Sequence, residues 1–265
     1  MSDEGGVMGR VSLREPQTMT MRIVANIVMV MANVLGRRRH PKDAQLPTNG
    51  GFILAMNHLS IADPPIVAAF VYERGWYPRF MAKAELFAKW PLGAVLRSIG
   101  QIPVDRRSSQ AAQSLKDAAD ALSAGRCVII FPEGTTTKRE DLWPMPMKTG
   151  AVRLALTTGA PLIPAAIWGS AGAMPPKLGR RPVITFAIGE PMDLSGYAGK
   201  QADTAALRVA TNEMHAQICG LVGELRGETP PAAGSTGADA GGSAAAGAKR
   251  SDNDSSTDLG ESAQS

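Results

Sequence analysis

The sequence predicts an α/β fold: a single domain built on a mixed, largely parallel central sheet flanked by helices, with an N-terminal membrane-interfacial helix ahead of it. Three observations carry this expectation. Short apolar runs bounded by glycine and proline recur along the chain, and segments with helical spacing alternate with them. The 265 residues are 44% hydrophobic, enough for one sizeable core. The segments richest in reactive side chains fall just beyond apolar runs, where α/β folds gather their sites.

Taken in order, residues 1–18 read as a flexible N-terminus, and residues 19–40 as an anchor helix with a basic flank. The stretch MRIVANIVMVMANVLGRRRH has an apolar core, residues 23–35, of 13 residues, whereas spanning a bilayer takes about 20. No small-x-small cleavage site follows it, and Arg37, Arg38 and Arg39 are the wrong flank for a signal peptide. Asn26 and Asn33, seven apart, share one helical face. The favoured reading is an amphipathic helix in the interface, its arginines drawn to anionic head groups. A helix packed on the protein's own core is the competing one.

Residues 41–228 form the expected globular domain. Strands are predicted at 52–56, 99–104, 127–131, 162–168 and 182–188. Helices are predicted at 64–72, 83–99, 108–124, 149–158 and 204–225. The first of these helices begins behind Asp63 with Pro64 at its first position, a favoured start. That at 108–124 has Ser108 and Ser109 as candidate caps, keeps Ala111, Leu115, Ala118 and Leu122 on one face, and stops at Gly125. From Thr229 onward the chain has one leucine and no aromatic residue. Such a segment cannot bury enough apolar surface to offset its ordering entropy, so 229–265 is expected to be a disordered tail.

Charge narrows the partners. The tail holds Lys249 and Arg250 against Asp239, Asp252, Asp254, Asp258 and Glu261. The rest of the chain therefore carries 26 basic and 19 acidic residues, net +7 against +4 overall. A basic body suits anionic lipid, a phosphorylated small molecule or nucleic acid. Aromatic residues are only 5% and never interleave with basic ones, which argues against a nucleic-acid stacking platform. Cys127 and Cys219 show no metal-ligand spacing and read as buried thiols.

Three segments carry chemistry. In GGFILAMNHLSIADPP, His58 leaves a strand and Asp63 follows five residues later. A carboxylate on one ring nitrogen fixes the tautomer and leaves the other nitrogen basic toward a hydroxyl. Alternatively, Asp63 only caps the helix behind it. In GQIPVDRR, a strand delivers Arg106 to its end, where a guanidinium fork and the amides of a following helix suit a phosphate; an ordinary charged turn is the alternative. In CVIIFPEGTTTKRE, a buried strand ends in Phe131 and Pro132. Glu133 then offers an acceptor to hydroxyls, and Gly134 lets backbone approach a ligand closely. Lys148 precedes the helix at 149–158.

Together these blocks resemble the glycerolipid acyltransferase family, whose best-known members are 1-acylglycerol-3-phosphate acyltransferases. The family's N-H-x-x-x-x-D is matched by residues 57–63 and its G-x-I-x-V-D-R by 100–106. Its F-P-E-G-T-R-S is matched by 131–135, with Thr136 and Thr137 where the pattern has Arg and Ser. A fourth, proline-containing apolar block looks like residues 162–167. The resemblance covers roughly residues 50–190 and implies that His58 is the general base and Asp63 its orienting partner. The acceptor hydroxyl would attack the thioester of acyl-CoA or acyl carrier protein directly, with no acyl-enzyme, cofactor or metal. By the same resemblance Lys83 and Arg106 hold the acceptor's phosphate, and Glu133 and Gly134 bind its glycerol part. Asn57, Thr135 and Lys148 complete the expected substrate-binding set. The absent third-block arginine leaves the acceptor open, with Lys138 or Arg139 as substitutes. The implied reaction gives phosphatidic acid in phospholipid synthesis, on the cytoplasmic face of the membrane, by a peripheral or monotopic enzyme in contact with anionic lipid. The alternatives are another lysophospholipid or glycolipid acceptor, a thioesterase, or a non-catalytic lipid-binding protein.

Overall fold

The computed structural model describes residues 13–39, 45–104, 111–174 and 181–231. In chain order the elements are α1 (Met19–Leu35), β1 (Arg37–Arg39), β2 (Phe52–Met56), α2 (Asp63–Tyr72), β3 (Arg79–Lys83), α3 (Ala84–Ala88) and α4 (Leu92–Ser98). These are followed by β4 (Ile102–Val104), α5 (Ala111–Ser123), β5 (Cys127–Ile130), α6 (Gly150–Thr158), β6 (Leu162–Trp168), β7 (Val183–Ile188) and α7 (Thr204–Arg226). The strands form one sheet in the order β1-β7-β6-β2-β5-β3-β4. The β6–β7 pair is antiparallel and the others are parallel, the mixed sheet the sequence predicts.

Strand β2 lies at the centre, with β5 on one side and β6 on the other, and all five of its residues are buried. Its Ile53 and Ala55 join a core layer with Leu122 of α5, Val152 of α6 and Met214 of α7. Phe52, Leu54 and Met56 point the other way, into a layer with Ile66, Val67 and Phe70 of α2. A parallel strand covered on both faces reads as a continuous apolar run rather than an alternating one. The backbones also approach closely: a Cβ at Gly51 would collide with the Leu122 carbonyl.

The structure departs from the sequence reading in five places. The helix expected over 83–99 is two helices, α3 and α4, separated at Pro91, whose missing N–H and ring end a helix. The strand expected from 99 starts at Ile102, because Ile99 caps α4 and Gly100 turns with φ +71°. Strand β3 was not expected at all. Neither was β1, the arginine run, which pairs in parallel with β7 as an edge strand. The basic flank is thus part of the sheet, and Arg38 is committed to Glu73 at 2.6 Å, while Arg37 and Arg39 stay exposed. Finally, residues 13–18 are tied to the body: Arg14 donates to the Thr48 carbonyl at 2.6 Å, and Glu15 receives both terminal nitrogens of the buried Arg79. Residues 1–12, the candidate caps Ser108 and Ser109, and residues 232–265 of the expected tail lie outside the described residues.

Helix α1 combines features of both readings. Met21, Ala25, Ala32 and Leu35 are buried, the small alanines letting α1 lie close to α2. On its outer side Met19, Ile23, Ile27, Val30, Met31 and Val34 are exposed, together with Asn26 and Asn33. No described helix is long and apolar enough to cross a membrane.

Candidate active site

The site is assembled where β2 ends. Asn57, fully buried, continues the ladder with its side chain: the Ile167 amide donates to Oδ1 at 2.9 Å, and Nδ2 donates to the Ile167 carbonyl at 3.1 Å. A side-chain amide thus stands in for a strand residue, so the backbone is free to turn away at His58. The turn closes on Asp63, the first residue of α2, which is completely buried. Its Oδ2 accepts from the Leu59 amide at 2.6 Å and the Ser60 amide at 2.9 Å, and lies 2.8 Å from Nδ1 of His58. An oxygen serving as acceptor to two amides assigns the proton to Nδ1. Nε2 keeps its lone pair.

The imidazole is fixed in other ways too. Its ring stacks on Phe131 at 4.2 Å between centroids, and Phe131 stacks in turn on Phe80 at 6.0 Å. Both backbone groups of His58 are held by the segment after β5: the amide donates to Glu133 Oε1 at 2.8 Å, and the carbonyl accepts from the Thr137 amide at 2.7 Å. Thr137 Oγ1 donates to the Trp143 carbonyl at 3.1 Å. The chain bends there through Gly134, whose φ of +76° is a conformation that favours glycine. The second oxygen of Glu133 accepts from the Met145 amide at 3.0 Å. Burial pushes the Glu133 carboxyl up to about 7; the amides of Met145 and His58 pull it down, and Asp63 adds to the rise.

Two cavities meet this row of rings. A small one of about 120 Å³ lies at the ends of β3, β4 and β5, lined by Val104, Phe131, Gly134, Lys148 and Gly150 among others. Gly150 opens α6, and the Lys148 amide, just ahead of it, donates to the Pro132 carbonyl at 2.9 Å. The other cavity, of about 350 Å³, is almost wholly apolar. It lies between α1, α2, β3 and α4, with Val28, Met31, Pro64, Ala68, Phe80 and Val95 in its wall. Pro64 follows Asp63 directly, so this apolar space begins beside the His58–Asp63 pair.

A 1-acyl-sn-glycerol-3-phosphate acyltransferase of Bacillus subtilis is 33% identical over 177 residues, 67% of this chain and 84% of that protein. The chain belongs to the acyltransferase family. The family model described as "Acyltransferase" matches residues 37–168, from β1 through β6. A 1-acyl-sn-glycerophosphate (LPA) acyltransferase, PlsC, of Thermotoga maritima shares the fold, with a TM-score of 0.56 at 23% identity, over 79% of this chain and 82% of that one. A lyso-ornithine lipid O-acyltransferase of Pseudomonas aeruginosa is 37% identical over 87 residues, 32% of this chain and 31% of that protein.

Of the residues expected to form this acyltransferase's site, the structure brings together Asn57, His58, Asp63, Glu133, Gly134 and Thr135, with Lys148 on the neighbouring cavity. Lys83 ends β3, exposed and in register with Val104 of β4. Arg106, two residues beyond Val104, lies outside the described residues. Asn57 is buried, with its side-chain amide on Ile167, where it supports the turn. The guanidinium of Arg139, one candidate for the missing third-block arginine, is bidentate on Asp141 at 2.8 and 2.6 Å. The sequence reading missed the ring stack and Thr137, although Phe131 and Thr137 both lie within the third block.

Proposed function

We propose that this acyltransferase moves a fatty acyl chain from acyl-CoA or acyl carrier protein to the free hydroxyl of 1-acylglycerol 3-phosphate, giving phosphatidic acid. The observation that carries the mechanism is the 2.8 Å contact between His58 Nδ1 and an Asp63 oxygen already anchored by two amides. His58 Nε2 takes the proton of the acceptor hydroxyl, and the oxygen attacks the thioester carbonyl. The intermediate collapses with expulsion of the thiolate, which receives the proton back from the imidazolium. The new bond is an ester and the broken one a thioester, so no acyl-enzyme and no cofactor are needed.

The cavities support a division of the substrates. Apolar walls beside Pro64 suit the acyl chain, which is worth about 0.8 kcal/mol per buried methylene. The small cavity suits the acceptor's phosphate, with Lys148 and the first residues of α6 in its wall and Lys83 at the end of β3. Arg106, by its place in the second block, is the further cation proposed for the phosphate. Glu133 is placed to hold His58 through its amide, with Gly134 and Thr135 left to meet the glycerol part.

The exposed apolar side of α1 supports a monotopic enzyme on the cytoplasmic face of the membrane, with Arg37 and Arg39 toward anionic head groups. Replacing Ile27 and Val34 with aspartate should then release the protein from anionic vesicles.

A second reading is favoured by one observation. Thr136 stands where the family pattern carries an arginine, and Arg139 is paired with Asp141. With fewer cations for a phosphate, a lyso-lipid with a different head group fits as acceptor. Measuring thiol release from acyl-CoA and acyl carrier protein, with no acceptor, with 1-acylglycerol 3-phosphate and with a lyso-ornithine lipid, decides. Release that depends on 1-acylglycerol 3-phosphate supports the main reading, and release that needs the lyso-ornithine lipid supports the second. Release without acceptor would mark a thioesterase, and none at all a binding protein.

A further inference from the structure

Trp90 is 88% exposed, although the other three tryptophans of the chain, Trp76, Trp143 and Trp168, are buried or half-buried. Two residues on, Leu92 at the start of α4 is 43% exposed, and Ile61, in the turn between His58 and Asp63, is 71% exposed. Exposed apolar side chains mark a contact surface only where they gather on one side of a molecule.

The topology places all of them at one end of the molecule. Gln17, just ahead of α1, donates to the Tyr72 hydroxyl at the end of α2, so the two helices run antiparallel. Because α2 starts at Asp63, the C-terminal half of α1, with its exposed Val30, Met31 and Val34, lies toward the site. Strand β3 ends at the site in Lys83, and α4 returns from there to the start of β4. The corner that leads into it, Trp90 and Leu92, therefore also stands at the site end, while Ile99 at its far end packs with Met21 at the start of α1. Leu92 and Met31 both line the apolar cavity, and Trp90 and Ile61 stand at the same end of the fold, on segments that are separate in sequence.

We propose that the Trp90–Leu92 corner and Ile61 insert into an anionic lipid bilayer, a contact made by the catalytic domain itself in addition to α1, which sets the site entrance against the head groups. The inference rests on the reading of this protein as a membrane-surface enzyme. Indole favours the water–lipid boundary, with an apolar body and a polar N–H. Exposed Lys83 and Lys89 flank the corner, with Glu85 the one acid between them, and the body as a whole is basic. A protein partner fits less well. A stable interface buries roughly 800 Å² on each side, and a few side chains separated by an open entrance supply much less.

Trp90 is its own reporter, since the other tryptophans sit in the body. The full chain would be mixed with vesicles of phosphatidylglycerol and phosphatidylcholine in about equal amounts. Binding is read by co-sedimentation, and the position of Trp90 by emission and by quenching with brominated lipid. The expected result is a blue shift and quenching that disappear in W90F, and vesicle binding roughly tenfold or more weaker in W90A. W90A should keep its turnover on a short, soluble acceptor. Wild-type protein that sediments while Trp90 remains in water and W90A binds as tightly would overturn this contact and leave the membrane reading intact. Failure of the wild type to sediment would overturn both. Self-association without vesicles that W90A abolishes would assign the corner to a second copy of the chain and overturn the lipid assignment.

Discussion

The Glu133 carboxylate grips the backbone of His58, with Oε1 2.8 Å from the His58 amide and Oε2 3.0 Å from the amide of Met145. One acid therefore ties the loop after β2 to the loop after β5, and both its oxygens must accept. Glutamine has the shape but only one accepting atom, so its NH₂ group would face an amide donor. E133Q should lower kcat more than it raises acceptor KM, because the base is displaced while the acceptor's cations remain. A change confined to KM would return Glu133 to a direct role on the acceptor.

The same carboxylate predicts a pH effect on stability. Burial raises it to about 7, from 4.5 for an exposed glutamate. Between those values the folded protein holds a proton that the unfolded chain has released, so this group's contribution to stability falls as pH rises through the window. A tenfold difference in proton affinity between the folded and unfolded chain corresponds to about 1.4 kcal/mol. Denaturant midpoints of wild type and E133Q, compared at intervals from about pH 4.5 to 7.5, should show wild type losing ground to the variant as pH rises. Parallel curves would mean that Glu133 is ionised throughout.

The His58–Asp63 pair predicts an asymmetry between two substitutions. H58A removes the base, and general-base catalysis contributes typically about 10² to 10⁴ in rate. D63N keeps the shape and an acceptor oxygen, but an amide no longer stabilises the imidazolium formed on proton transfer. It also puts the donors of Leu59 and Ser60 on a weaker partner, so activity and stability should fall together. Turnover of H58A within a few-fold of wild type, measured as acceptor-dependent thiol release, would remove the imidazole from the mechanism.

How far the sequence exposes this architecture depends on what each segment buries. Strands β2, β5 and β6 are legible because they are covered on both faces and hence continuously apolar. The turn that pairs His58 with Asp63 is legible because a histidine and an aspartate at that spacing leave such a strand. Strand β3 is not, because it begins in Arg79 and ends in Lys83. Arg79 is nonetheless buried, its charge met by Glu15 from 64 residues earlier. No local pattern discloses that partner. Strand β1, three arginines at the sheet edge, looks like a solvated flank for a similar reason: only the pairing with β7 makes it a strand. Glu133 shows the limit for the site. The third block announces a functional acid, but its two amide partners are tertiary facts.

Phosphate binding predicts a response shared between two lysines. Lys148, ahead of α6, lines the small cavity, and Lys83 ends β3, whose Met81 also lines it. Charge-assisted bonds contribute roughly 1.5 to 3 kcal/mol, so K83A and K148A should each raise KM for 1-acylglycerol 3-phosphate about tenfold or more, with kcat less affected. Neither should alter KM for an acceptor that lacks a phosphate. Equal losses on both acceptors would place these lysines on the acyl donor, whose CoA or carrier-protein moiety also bears phosphate.

The apolar cavity predicts the enzyme's response to acyl chain length. Val28 of α1 and Val95 of α4 line it from opposite helices, and both are half-buried, so a larger side chain has room to enter the space without displacing packed core. Overpacking a filled core costs typically about 1 to 3 kcal/mol; filling an open cavity should leave thermal stability nearly unchanged. Phenylalanine at either position would exclude part of the acyl chain. Each methylene turned out of the cavity forfeits about 0.8 kcal/mol, so losing two would cost roughly tenfold in kcat/KM on long donors. V28F and V95F should therefore shift the preference toward shorter acyl-CoA, with kcat/KM on the shortest donors close to wild type. Because Pro64 in the cavity wall adjoins Asp63, the shift should appear without any change in the acceptor's KM. A chain-length profile that stays fixed in both variants, in protein that melts normally, would place the acyl chain outside this cavity.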